Sequence, residues 1–148
     1  MASGSREVEL QSHCHESAGP RQLRRLRGVT LTDNGRSQSA LLQIIHNGMG
    51  VADQMLQHNL LRKHLLLLWE NKTLPSAICF YTAGVKMVVE GSPVLDVLQS
   101  FEAQGVRLIV CKTCLDYFGL LDKVRVGIVG GMGDIIAAQW LADKVISL

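Results

Sequence analysis

From position 40 onward, short unbroken apolar runs alternate with stretches whose apolar residues recur at helical spacing. ALLQIIH (40–46) ends in NGMG and predicts a buried strand entering a glycine loop. Over 51–69 the apolar positions Val51, Met55, Leu56, Leu60, Leu61, Leu65 and Leu68 predict an amphipathic helix. Asp53 falls in its first turn, where a carboxylate suits the positive end of the helix dipole. Pro75 breaks that pattern, and SAICFY (76–81) predicts a second strand. TAGVKMVVEG (82–91) has turn character without a definite state. SPVLDVLQSFEAQG predicts a helix with Ser92 as N-cap, Pro93 in the first helical position and Gly105 as the stop. VRLIV is a third strand that delivers the chain to Cys111, and a short helix is expected to open at Thr113 or Cys114. VRVGIVG predicts a fourth strand, 133–142 a helix, and KVISL a short fifth strand.

Strands that are apolar throughout and separated by helices imply a parallel sheet covered on both faces, a three-layer α/β sandwich. Ligands meet such sheets at the carboxyl ends of the strands. The NGMG, TAGVK, CKTC and GGMGD segments all follow strands, so all four are expected on one edge.

Residues 1–38 are different: polar, rich in Ser, Arg and Gly, and without apolar period, which predicts a flexible or loosely docked arm before a domain over 39–148. The arm's RQLRRLR segment (21–27) is short and lacks interleaved aromatics, and the formal net charge is only +2, so nucleic acid is not the expected partner. A length of 148 residues suits one domain with a sizeable core, and 47% hydrophobic residues exclude wholesale disorder. No apolar leader is evident at the N-terminus. The most apolar stretch, 60–69, contains Arg62, Lys63 and His64, so no membrane span is expected. The expected setting is the cytoplasm, with the four cysteines, Cys14, Cys79, Cys111 and Cys114, mostly as thiols.

The candidate chemistry lies in the C-x-x-C of LIVCKTCLDYFGL. A strand end meeting a helix start offers unpaired backbone N–H groups, and Lys112 adds positive charge, so both favour a thiolate. In such pairs the first sulfur is usually the exposed one, which points to Cys111 as nucleophile or carrier and Cys114 as the residue that resolves or shields it. Two small buried side chains with no chemistry are the plain alternative. Zinc needs four ligands and this motif supplies two, the other candidates being Cys79, His46 and the His13-Cys14-His15 triplet, so no metal and no other cofactor is expected. A transient disulfide fits a reducing compartment better than a permanent one. GGMGD fails as a dinucleotide fingerprint, because Ile136 stands at the last glycine position and too little chain follows. It is expected to be a structural turn, as is NGMG. His46 closes a predicted strand on the same edge, while His58 and His64, six apart, face different ways.

The FY-x-x-GVK turn, the EGSPVL helix start, the G-V-x-L strand, the C-x-x-C-L-D-x-(F/Y) loop and the ADKVI end together resemble the C-terminal domain of YedF proteins, in the DsrE/DsrF-like superfamily of sulfur-relay proteins. The likeness spans about residues 40–148. It implies a five-stranded, mainly parallel sheet, homo-oligomers (trimers or hexamers), and a cysteine after a strand that accepts sulfur as a persulfide. In the sulfur-carrying relatives the acting cysteine precedes a glycine by eight positions, the relation of Cys111 to Gly119. YedF proteins are linked to selenium metabolism. Their TusA-like domain, with its C-P-x-P motif, has no counterpart in this sequence, and the family often has glycine at the position of Lys112 and asparagine at that of Thr82. The resemblance therefore implies a separate sulfur donor, a TusA-like protein or a cysteine desulfurase. The expected function is a sulfurtransferase-like carrier, with Cys111, Cys114 and Lys112 as its site. A non-catalytic assembly or binding subunit with vestigial cysteines, and a C-x-x-C redox sensor, are the rival readings.

Overall fold

The computed structural model describes residues 38–148. The arm expected over 1–38 lies outside them except for Gln38, and so do the RQLRRLR cluster and the His13-Cys14-His15 triplet. Five strands form one sheet: β1 (Ala40–Ile44), β2 (Ala77–Phe80), β3 (Arg107–Cys111), β4 (Ile128–Gly130) and β5 (Lys144–Ser147). Their order is β4-β3-β2-β1-β5, and every neighbouring pair is parallel. Four helices lie between them: α1 (Gln54–Glu70), α2 (Leu95–Ala103), α3 (Lys112–Phe118) and α4 (Met132–Leu141).

The chain steps from β1 to β2 to β3 to β4 in one direction, then crosses back to place β5 beside β1. With right-handed crossovers, reversing the direction also changes the face. Thus α1 and α2 cover one face and α4 the other, the expected three layers. Arg62 of α1 clasps Asp96 of α2 through two hydrogen bonds of 2.8 and 2.9 Å and also donates to the Pro93 carbonyl. The Asp96 carboxyl is pulled down to about 2, chiefly by the Arg62 hydrogen bond. Trp69 meets Phe101 edge-on at 5.9 Å. On the far face, Gln139 of α4 donates to Gln43 of β1.

Several element starts differ from expectation, for local reasons. Asp53 is the N-cap of α1 rather than a first-turn residue, and its carboxylate accepts from the Leu56 N–H at 3.2 Å. Of the apolar stripe read for that helix, only Leu61 and Leu65 are buried, whereas Val51, Met55, Leu56 and Leu60 are exposed. Helix α2 begins at Leu95, because the Ser92 hydroxyl closes a short turn by accepting the Val94 N–H. GGMGD is a structural turn: the Asp134 carboxylate accepts the Gly131 N–H at 2.8 Å, capping α4 from within.

The undefined segment after β2 is a 3₁₀ turn, Thr82–Met87, pressed onto the end of β1. The Tyr81 N–H donates to the Ile44 carbonyl at 3.3 Å, and the Thr82 hydroxyl to the Ile45 carbonyl at 2.5 Å. Gly84 approaches so closely that a Cβ there would overlap the Ile44 carbonyl oxygen. No larger residue fits without moving two backbones apart. Gly84→Ala is therefore expected to cost about 2 kcal/mol or more, read as a lower urea midpoint at unchanged slope.

Candidate functional site

Because the sheet is all parallel, the segments after β1, β2, β3 and β4 share one rim, as expected. Cys111 is the last residue of β3, opposite Gly130 of β4, and also the N-cap of α3. Cys114 lies in the first turn of α3, and Gly119 ends that helix in the left-handed conformation (φ 66°). The helix at the pair thus starts at Lys112, one or two residues earlier than expected.

The exposure of the two sulfurs is reversed. Cys111 is buried, at 1% exposure, and Cys114 is half-buried. The cause lies in the strand. From Leu108 to Cys111 every residue of β3 is buried, since both faces of its sheet are covered. Cys111 is still a strand residue, whereas Cys114 has moved into the helix at the rim.

Two groups meet the Cys114 sulfur. The Thr82 N–H donates to it at 3.0 Å, and the Cys111 thiol is within hydrogen-bonding reach. Burial pushes the Cys114 thiol above its ordinary value, the Thr82 N–H opposes this, and Cys111 adds to the rise. Thr82 reaches this position with φ 50°, a left-handed conformation that costs a β-branched residue about 1–3 kcal/mol. Its hydroxyl bonds to the Ile45 and Tyr81 carbonyls help to hold it there.

Lys112 points its charge elsewhere. It is exposed, with its ammonium 2.7 Å from Asp116 one turn along α3, and makes no ion pair or hydrogen bond with either sulfur. His46 is half-buried after β1, and His58 pairs with Asn47 at 3.4 Å. Cys79 is fully buried in β2, and burial raises its thiol to about 11, so it is inert. Among the described residues no cluster of three or more His, Cys, Asp or Glu could hold a metal. No helix among them is long and apolar enough to cross a membrane.

Sequence reasoning did not assign Thr82 or Lys86 to the site. A signal existed for the first: the asparagine common at that position in the resembling proteins tolerates the left-handed conformation better than most residues. Lys86 stands in the FY-x-x-GVK turn, but the motif gives no hint of its partner: its ammonium lies 4.6 Å from the Phe118 ring centre. With Cys114 above the usual thiol value, its alkylation rate should keep climbing past pH 9, because the thiolate fraction is still growing there. A rate that levels off well below that pH, followed on the Cys114 peptide, would contradict this electrostatic description.

Comparison with known proteins agrees with this architecture. The ychN protein of E. coli is 18% identical, with a TM-score of 0.55, covering 74% of this chain and 99% of its own. MTH1491, a protein of unknown function from Methanobacterium thermoautotrophicum, is 20% identical, with a TM-score of 0.56, covering 75% and 99%. BT1422, a conserved protein of unknown function from Bacteroides thetaiotaomicron, is 17% identical, with a TM-score of 0.52, covering 74% and 95%. At these identities the likeness is one of fold. No curated protein matches the chain. The DsrE/DsrF-like family matches residues 52–148, which include the rim segments after β2, β3 and β4, Cys79, Cys111 and Cys114, and all but the first strand, and the chain belongs to that family.

Proposed function

We propose that this protein is a sulfur carrier of the sulfurtransferase-like kind, holding sulfur or selenium as a cysteine persulfide or its selenium counterpart. The observation that carries this reading is the half-buried Cys114 sulfur at the rim, met by the Thr82 N–H and backed by Cys111. In loading, a Cys114 thiolate attacks the outer sulfur of a donor persulfide. The new bond joins that sulfur to Cys114 Sγ, the donor's own S–S bond breaks, and its electron pair leaves with the donor thiolate. No oxidant or reductant is consumed. In release, an acceptor thiolate repeats the attack and negative charge returns to Cys114 Sγ, where the Thr82 N–H is aimed.

A raised thiol value suits a holder of sulfur. A less acidic thiol is a poorer leaving group, so the cargo stays until a good acceptor is positioned. Cys111, within reach but enclosed, is the resolving partner in this scheme, and Lys112 acts outside it through Asp116. The roles of the two cysteines are thus exchanged relative to the sequence expectation, because accessibility favours Cys114. The YedF-like motifs support a TusA-like protein or a cysteine desulfurase as donor, a cytoplasmic setting, and a trimer or hexamer. Exposed Ile128, Ile136, Trp140 and Leu141 supply apolar surface for such an assembly.

Incubation with a cysteine desulfurase and cysteine should add one sulfur mass to the protein. The gain should persist in Cys111→Ser and disappear in Cys114→Ser. The opposite pattern would assign the cargo to Cys111, as its spacing from Gly119 implies. Loss of two hydrogens under mild oxidant, with no sulfur gain in the wild type, would replace the carrier reading with a redox pair.

A further inference from the structure

An open cleft of about 550 Å³ lies between the start of α1, the turn after β2 and the end of α3. That volume is within the range small ligands occupy. Asn47, Gln54, His58, Lys86, Glu90 and Phe118 are among its walls. Two connections tie it to Cys114. Phe118 follows Cys114 by four residues on α3, so the two side chains share a helix face with Cβ atoms roughly 6 Å apart. Lys86 belongs to the same 3₁₀ turn whose first residue, Thr82, donates to the Cys114 sulfur.

The charges of the cleft do not cancel. Glu90 is engaged by Arg125 at 2.8 Å. His58 shares its ring nitrogen with Asn47. Lys86 has no carboxylate within ion-pair distance among the described residues. Lys86 is half-buried and its ammonium is held at the Phe118 ring, a contact that fixes the cation while leaving N–H donors free.

From this arrangement we infer that the cleft is a binding subsite for a small anionic thiol or persulfide, one bearing a carboxylate on a short chain. The carboxylate meets Lys86 and the sulfur meets Cys114, about one helical turn away. Cys114 lies beyond the Phe118 wall of the cleft, and an amino-acid-sized molecule spans that interval with its carboxylate end inside. The inference deepens the carrier reading by naming its substrate class. The placement of Lys86 at Phe118, one helical turn from the thiol, stands without it.

Iodoacetate and iodoacetamide differ by one charge at the same reactive carbon, and their relative rates at the Cys114 peptide report the local cation. The ratio of iodoacetate to iodoacetamide reaction is expected to fall about fivefold in Lys86→Gln. It should be retained in Lys86→Arg, which also guards against a merely misfolded variant, and should be unaffected by Lys63→Gln on the outer side of α1. Raised salt should shrink it in the wild type. An equal ratio in wild type and Lys86→Gln, or a loss that Lys86→Arg shares, overturns the subsite. No sulfur transfer is needed for this readout. A protein that takes no persulfide but keeps the charge preference loses the carrier reading alone, and one that takes persulfide without the preference loses the subsite alone.

Discussion

The contact of the Gly84 backbone with the Ile44 carbonyl sets the geometry of the whole rim. Two strand ends and one turn are pressed together there with no side chain between them. That closeness lets the Tyr81 N–H and the Thr82 hydroxyl reach carbonyls at the end of β1. The same anchoring turns Thr82 into the left-handed region and leaves its N–H directed at Cys114 rather than at a helix or strand partner. Lys86 follows within the same turn and meets Phe118 on the helix that carries the thiol. Donor and cation are therefore placed against the helix of the thiol by one piece of backbone.

The site balances two opposed effects on one sulfur. Enclosure favours the neutral thiol, and the aimed N–H favours the anion. Enclosure prevails at rest, which protects a reactive atom from indiscriminate oxidation. During transfer the charge on Cys114 Sγ is transient, and a preset donor helps most when charge appears only briefly. A buried Cys111 beside it provides a second sulfur without a second exposed thiol.

The layer order, the parallel sheet and all five strands were legible in the sequence, because runs such as SAICFY and VRLIV have no polar face to turn outward. The shared rim followed from the strand directions. Legibility ended where the outcome depended on which surface a neighbour covers. The periodicity of α1 marks an apolar stripe, yet Leu61 and Leu65 reach the core while Met55 and Leu60 do not, and spacing alone does not separate them. The C-x-x-C was visible as a site, but the relative access of its sulfurs was not. It depends on Cys111 still being a paired strand residue, one position before the helix. Thr82 was visible only as a departure from asparagine, and its contact with the sulfur was not legible because that part is played by its backbone.

The most direct measurement is amide hydrogen exchange at Thr82. The N–H···S contact should hold that amide in protection, and Cys114→Ala should speed its exchange by about tenfold, with Val110 in β3 unchanged. Equal Thr82 exchange in the two proteins would mean that the amide does not hold the sulfur, and the rim would then lack the donor on which sulfur transfer at Cys114 depends.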